Sequence, residues 1–195
     1  MFRYASDQSL FLDIPPASAN LEALERIPGV VNLHPAYESI LIVFNPLATT
    51  HQVVESAARQ VANAPAPNRA KHHEIPIHYN GPDLHNVALL HNLSKERVVD
   101  LHASAAYTVA FLGFVPGFAY LHGLPGALHT PRLPSPRKEV PAGSLGIAGA
   151  QTGIYPISTP GGWQLIGHTP IQLFHPANTP MSLLQPGDHV RFIPA

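Results

Sequence analysis

The sequence predicts an α+β protein, with a small βαββαβ domain over residues 1–80 and, over residues 81–195, two linking helices followed by an all-β barrel or sandwich. Strand and helix signals alternate along the first part, whereas short β-type runs between prolines and glycines recur beyond residue 106. Alternating strands and helices favour a layered α+β domain, and short strands separated by turn residues favour a barrel or a sandwich. The two helical segments between these parts mark the domain boundary.

The elements of the first domain are predicted from hydrophobic periodicity. Strands are expected at residues 9–14, 30–34, 39–44 and 74–79, with helices at residues 20–26 and from residue 49 or 50 to residue 63. The 39–44 segment is nearly all apolar, so it is the expected central strand. The proline-rich segment 64–67 ends the second helix because proline cannot continue it. Both helices are expected on one face of the sheet.

The second domain begins with helices predicted at residues 83–91 and 94–102. Strands are expected at residues 107–112, 145–148, 154–157, 163–166, 171–174 and 189–193. The helix pair suggests a helix-turn-helix, but its only basic residues are Lys95 and Arg97. The whole chain has 11 basic and 12 acidic residues and a net charge of −1. Without a basic stripe to neutralise phosphates, nucleic-acid binding is excluded.

Composition narrows the function classes further. The chain has no cysteine, which excludes disulfides, thiolate catalysis and cysteine-bound zinc. The 13 histidines match no metal-binding spacing, so no metal is expected. No glycine-rich phosphate loop is present, so no cofactor intrinsic to this chain is expected. The sequence shows neither a signal peptide nor an apolar run long enough to span a membrane, which predicts a cytoplasmic protein.

Two arginines in a proline-rich loop are the candidate substrate ligands. Between residues 101 and 187 the only ionised side chains are Arg132, Arg137, Lys138 and Glu139. Prolines stiffen the loop, and guanidinium groups bind carboxylates through paired hydrogen bonds. Arg132 and Arg137 are therefore predicted to bind an anionic substrate group in a shared pocket. Two alternatives stay open: a solvated surface loop, and a structural ion pair with a carboxylate such as Asp83 or Asp188.

Side chains with an apolar body and a polar tip are the candidates for the rest of this pocket. Gln151, Tyr155 and Trp163 are of this type and lie in glycine-rich segments. Glycine lets the backbone approach a ligand closely, which suits a binding site. The rings of Phe111 and Phe114 are expected instead in the barrel core.

Four segments of the second half resemble one protein family. They are residues 112–121 (LGFVPGFAYL), 131–144 (PRLPSPRKEVPAGS), 149–156 (GAQTGIYP) and 160–170 (PGGWQLIGHTP). The family is that of the 5-oxoprolinase B-type subunit, with allophanate hydrolase subunit 1, the carboxyltransferase part of urea carboxylase and a sporulation histidine-kinase inhibitor. The first helix is shorter than is usual in the family. The positions that fit the family's motifs also include Asp83, His102, Gly113, Pro116, Gly117, Phe118, Gly161, Gly162 and Thr169.

The resemblance implies a cyclophilin-like β-barrel after the small α+β domain. It also implies a heteromeric complex with a second cyclophilin-like subunit (the C-type subunit of 5-oxoprolinase) and a further, A-type subunit. Such a complex would hydrolyse 5-oxo-L-proline to L-glutamate with ATP, which binds at the level of the complex, and the chain alone would be inactive. The alternative functions are a regulatory inhibitor that binds a sensor histidine kinase, and a carboxyltransferase subunit that works with a biotin carrier.

Overall fold

The computed structural model describes residues 1–61 and 70–195, apart from the side chain at position 17. The chain divides into two compact units, Met1–Arg69 and Ala70–Ala195. The strand predicted at residues 74–79 belongs to the second unit, so the division lies before the predicted boundary at residue 80. The predicted end of the second helix at residue 63 and the proline-rich segment after it lie outside the described residues.

The first unit contains a four-stranded antiparallel sheet and two helices. Its strands are β1 (Phe2–Ser6), β2 (Ser9–Leu12), β3 (Val30–Pro35) and β4 (Ile40–Phe44), and its helices are α1 (Leu21–Glu25) and α2 (His51–Val61). The strand order is β1-β2-β4-β3, so the apolar β4 is an inner strand, as predicted. Strand β1 was not expected because its residues are mostly exposed and carry little hydrophobic pattern.

The core of the first unit lies between one face of the sheet and the helices. Ile40, Ile42 and Phe44 alternate along β4 with their side chains buried. They share a hydrophobic cluster with Leu24 of α1 and Val54 of α2. Because alternate residues of a strand point to one face, both helices cover the same face of the sheet, as predicted.

The second unit is a β-barrel with two helices. Its strands are β5 (His72–Ile77), β6 (Tyr107–Leu112), β7 (Ala119–His122), β8 (Arg137–Val140), β9 (Ser144–Ala148), β10 (Gln151–Ile154), β11 (Thr159–Gly161), β12 (Gln164–His168) and β13 (His189–Pro194), and its helices are α3 (Leu84–Leu90) and α4 (Lys95–Ser104). Seven strands form one sheet in the order β12-β9-β10-β7-β6-β13-β5, and β8 pairs separately with β11. An antiparallel bridge between His78 and His168 joins the two edge strands. The bridge closes the sheet, which confirms the predicted barrel.

One polar cluster lies among the apolar side chains of the barrel core. His102 of α4 is fully buried; its Nδ1 lies 2.9 Å from the Tyr79 hydroxyl and its Nε2 lies 3.0 Å from the Thr152 hydroxyl. The Thr152 hydroxyl donates to the Gly146 carbonyl at 3.0 Å, so the His102 Nε2–H donates to Thr152 and Tyr79 donates to Nδ1. Burial lowers the pKa of His102 to about 3, so the imidazole is neutral.

Some strands of the barrel differ from the sequence prediction. Residues 171–174 do not form a strand; only Phe174 makes an isolated bridge, to Ser182. Prolines at positions 170 and 176 flank this segment and have no N–H to give to a ladder. Strand β10 starts at Gln151 and so precedes the predicted 154–157. Strands β7, β8 and β11 were not expected, because their short sequences are mixed with glycine, proline or charge.

Candidate functional site

The proline-rich loop at residues 130–137, here called the arginine arm, is fixed against the segment between β11 and β12. The Gln164 side-chain amide donates to the Pro131 carbonyl at 3.1 Å. The Leu133 N–H donates to the Gly162 carbonyl at 2.7 Å. These two hydrogen bonds flank Arg132 in the chain, so they place this residue beside Trp163 and its neighbours.

A cavity of about 210 Å³ lies between the arginine arm and that segment. Its lining residues are Phe114, Phe118, Tyr120, Arg132, Pro136, Tyr155, Pro160, Gly161, Gly162 and Trp163. The Phe118 ring packs edge-to-face on Tyr155 and Trp163, with centroid distances of 5.2 and 5.3 Å. Such packing fixes ring orientation, so the apolar wall of the cavity is well defined. Of the five predicted pocket residues, the structure brings Arg132, Tyr155 and Trp163 together here.

Arg132 supplies the only charge among the described lining residues. Its side chain is exposed, and no carboxylate in the described parts of the chain forms an ion pair with it. Burial raises the pKa of the Tyr120 and Tyr155 hydroxyls, and the nearby Arg132 partly offsets each rise. Both hydroxyls are therefore neutral at physiological pH. A cation beside neutral phenols and aromatic rings suits a small anion with an apolar body.

Arg137 lies in a different environment from Arg132. Its Nη2 donates to Asp83 Oδ1 at 2.7 Å, and its Nη1 donates to the Trp163 carbonyl at 3.3 Å. Asp83 is buried and also accepts a hydrogen bond from the Leu165 N–H at 2.6 Å. The structure thus places Arg137 in the structural ion pair that the sequence left open, and not among the residues that line the cavity.

The remaining predicted pocket residue, Gln151, is also outside the cavity lining. It is the first residue of β10 and pairs with Ala148 of β9. The five-residue pocket predicted from sequence is therefore only partly assembled. Residues of neighbouring sequence segments need not share a pocket, because alternate residues of a strand point to opposite faces of the sheet.

Several family-motif positions shape the walls without supplying chemistry. A Cβ at Gly161 would lie 2.4 Å from the Tyr155 hydroxyl, so only glycine fits beside this ring. Gly117 has a φ of 83°, and a Cβ there would lie 2.6 Å from Phe174. Phe118, Gly161 and Gly162 line the cavity itself. The other motif positions do not line the cavity. Gly113, Pro116 and Thr169 belong to turns or make buried backbone contacts, and Asp83 and His102 have the partners described above.

Phe114 is the lining residue that the sequence prediction placed wrongly. It was expected in the barrel core, but it is 59% exposed at the cavity. Its φ of 66° lies in the left-handed region, which is rare for a bulky residue. The adjacent turn residues Gly113 and Pro116 are the signal that could have located it. Phe111 is half-buried and stacks on Tyr120 at a centroid distance of 4.4 Å.

Several histidines of the second unit have protein partners. The rings of His72 and His189 stack at a centroid distance of 4.8 Å, and His73 Nε2 lies 2.9 Å from Asp188 Oδ2. Within the described residues, no group of three or more histidine, aspartate or glutamate side chains is arranged to hold a metal ion. None of the helices in the described part of the chain is both long and apolar enough to cross a membrane.

Comparison with known proteins places this arrangement in a family. Residues 4–184 match the family model described as "Carboxyltransferase domain, subdomain C and D". The chain belongs to this family. It is 48% identical to the 5-oxoprolinase B-type subunit of Escherichia coli O157:H7 over 179 residues, which cover 89% of this chain and 82% of that protein. It is 42% identical to the 5-oxoprolinase B-type subunit of Bacillus subtilis strain 168 over 194 residues, which cover 91% of this chain and 80% of that protein.

Two solved structures share the fold of this chain. The crystal structure of TTHA0988 superposes with a TM-score of 0.85 at 36% sequence identity, covering 96% of this chain and 39% of that one. The Kluyveromyces lactis urea amidolyase superposes with a TM-score of 0.72 at 19% identity, covering 100% of this chain and 15% of that one. The second likeness concerns the fold alone. Together they confirm the predicted small α+β unit followed by a cyclophilin-like barrel.

Proposed function

We propose that this chain is one subunit of an ATP-dependent 5-oxoprolinase complex that hydrolyses 5-oxo-L-proline to L-glutamate. The observation that carries the proposal is the 48% and 42% identity, over most of both chains, to proteins named as the B-type subunit of 5-oxoprolinase. The partners in this proposal are a second cyclophilin-like subunit, of the C type, and a further subunit of the A type. ATP binding at the level of the complex and a cytoplasmic location belong to the same proposal.

Within that complex, the cavity is the proposed site for the carboxylate of 5-oxoproline. The substrate is a five-membered lactam ring with one carboxylate, which matches one free guanidinium beside aromatic walls. The volume of about 210 Å³ is below the range of roughly 300–1,000 Å³ that is usual for drug-sized ligands. The cavity therefore favours a small substrate over a nucleotide. Arg132 would bind the carboxylate, and the Tyr155 and Trp163 rings would contact the lactam ring.

The two alternative functions predict other partners. A regulatory inhibitor would bind a sensor histidine kinase, and a carboxyltransferase subunit would work with a biotin carrier. The identity to proteins named as 5-oxoprolinase subunits favours the oxoprolinase over both. The likeness to urea amidolyase, at 19% identity, concerns the fold and gives no support to a carboxyltransferase.

The proposal is tested by purifying the tagged chain from its native cell and identifying the proteins that accompany it. The purified assembly is then assayed for ATP-dependent formation of glutamate from 5-oxoproline, beside the isolated chain. We expect two further subunits, activity in the assembly and none in the chain alone. An assembly with a kinase or a biotin carrier that forms no glutamate would overturn the oxoprolinase proposal. Activity of the pure chain would overturn the requirement for partners.

A further inference from the structure

We propose that helix α3 holds the arginine arm at both ends and thereby positions Arg132 at the cavity. Asp83 directly precedes α3 and His91 directly follows it. Asp83 binds the last residue of the arm, Arg137, and His91 binds the first, Thr130. Arg137 is therefore a positioning residue and not a substrate ligand. The kinetic consequence of this clamp rests on the proposed function, whereas its structural consequence does not.

The first end of the clamp is the contact between His91 and Thr130. His91 Nε2 lies 2.9 Å from the Thr130 hydroxyl oxygen, and that hydroxyl donates to the Leu128 carbonyl at 2.8 Å. Since the hydroxyl has one proton to donate, its oxygen accepts the proton of His91 Nε2–H. The Thr130 carbonyl also accepts a hydrogen bond from the Gly149 N–H at 2.6 Å. The arm therefore begins at a buried residue that is fixed through both its backbone and its side chain.

The second end of the clamp is the ion pair between Arg137 and Asp83. The Asp83 side chain is 6% exposed and that of Arg137 is 29% exposed, so the pair is largely shielded from water. Each partner also binds the chain at the start of β12: Asp83 accepts from the Leu165 N–H, and Arg137 donates to the Trp163 carbonyl. One ion pair thus fixes the arm, the start of α3 and the chain around Trp163 relative to each other.

The chain between the two ends has little freedom of its own. Prolines at positions 131, 134 and 136 fix φ at three places in the arm. Helix α3 is anchored in the barrel core by Leu84, Val87 and Ala88, which are buried. An arm with stiff residues and two fixed ends keeps Arg132 in one place before any ligand binds. Such pre-organisation lowers the ordering cost of binding a carboxylate.

Trypsin digestion tests whether the clamp holds the arginine arm, and it needs no assumption about the reaction that the protein takes part in. The full chain is digested under native conditions, and cleavage of the Arg132–Leu133 bond is followed by mass spectrometry. The variant Arg137→Gln releases the second end, and we expect cleavage there to rise about tenfold or more, as for the loss of a charge-assisted hydrogen bond. Cleavage after Arg97 in α4 is the internal reference, because global unfolding would raise it equally. Lys138→Gln is the matched control, since Lys138 is exposed and neighbours Arg137.

Two further variants keep the test decisive. His91→Ala releases the first end and should raise cleavage at the same bond by a smaller factor, with the fold less at risk. Arg137→Lys should restore part of the protection, because ammonium keeps the charge but loses the second hydrogen bond. If Arg137→Gln does not fold, His91→Ala decides the matter. Unchanged cleavage after Arg132 in the folded variants, relative to the Arg97 reference, would overturn the clamp.

Kinetics of the assembled enzyme separate the clamp from the proposed reaction. In Arg137→Gln we expect KM for 5-oxoproline to rise about tenfold with kcat largely retained, since the variant misplaces a binding group and not a reacting one. Increased cleavage with an unchanged KM would support the clamp and overturn Arg132 as the carboxylate ligand. An equal loss of kcat and of kcat/KM would overturn the assignment of Arg137 as a positioning residue.

Discussion

The polar cluster inside the barrel and the cavity beside the arginine arm use polar groups in opposite ways. In the barrel, His102 is fully buried, and both of its ring nitrogens have partners, Tyr79 and Thr152. At the cavity, Arg132 is exposed, and no described carboxylate pairs with it. A polar group whose hydrogen bonds are all made inside the protein supports the fold. A charged group held in place without a partner is available to a ligand.

The presence or absence of internal partners distinguishes functional from structural side chains better than exposure or composition does. His102 and Arg137 both fit the motifs of the family, yet the structure gives each of them internal partners. Changes at His102 should therefore appear first in stability, and changes at Arg137 in the position of the arginine arm. Changes at Arg132 should appear in activity with stability retained.

Truncation of His102 should cause the largest loss of stability. His102→Ala removes a buried ring and leaves the Tyr79 and Thr152 hydroxyls without their partner. Loss of a buried ring typically costs about 3–5 kcal/mol in free energy of unfolding. Urea titration followed by circular dichroism measures this loss. A destabilisation below about 1 kcal/mol, the net value of an ordinary hydrogen bond, would show that the cluster does not support the fold.

The same residue should make stability depend on pH. The pKa of His102 is about 3 in the folded chain and 6.5 when it is unperturbed, so between these values the unfolded state binds the additional proton. The free energy of unfolding should therefore be highest above pH 6.5 and fall towards pH 3.

Between pH 6.5 and pH 4.5, the titration of His102 should lower the free energy of unfolding by about 2–3 kcal/mol. Comparison with His102→Asn, which cannot titrate, isolates the contribution from that of the other histidines. If the free energy of unfolding changed with pH in the same way in both proteins, a neutral His102 would be contradicted.

Arg132 should show the reverse pattern. A charge-assisted hydrogen bond contributes about 1.5–3 kcal/mol, so Arg132→Ala should lower kcat/KM of the assembled enzyme by about ten- to a hundredfold. The melting temperature should hardly change, because an exposed side chain without an ion pair supports no packing. Lys138→Ala is the control, since it removes a neighbouring cation that does not line the cavity. Equal kcat/KM values for Arg132→Ala and Lys138→Ala would show that Arg132 is not part of the site.

Gly162 should give the smallest effect. A Cβ at this position would lie 3.6 Å from Pro136, an ordinary contact distance, so Gly162→Ala should fold normally. It lines the cavity, and one added methyl should reduce kcat/KM by about tenfold, the lower end of the range for a single methylene in a pocket. Gly161→Ala is the comparison, because its Cβ would collide with Tyr155. If Gly161→Ala and Gly162→Ala have the same kcat/KM, the substrate does not contact the wall of the cavity that these glycines form.

The sequence predicted the regular parts of the fold and only part of the site. Strand β6 (Tyr107–Leu112) and the helices α3 and α4 follow from local hydrophobic patterns, which determine such elements directly. Strand β8 was not found because it carries exposed charged residues and pairs only with the three-residue β11. The charge count selected the arginine arm as the candidate binding loop, and that role stays a prediction. The count could not separate Arg132 from Arg137, because the partner that engages Arg137 lies 54 residues away in the chain.

The closure of the barrel limits how another protein can attach to the second unit. Backbone hydrogen bonds between His78 and His168, both at 2.9 Å, join the strands that would otherwise be the two edges of the seven-stranded sheet. An added strand from a partner needs such an edge, with free N–H and C=O groups. The four-stranded sheet of the first unit keeps two edges, β1 and β3. A partner protein that docks by β-augmentation therefore finds free strand edges on the four-stranded sheet, whereas the two edge strands of the barrel sheet are joined to each other at His78 and His168.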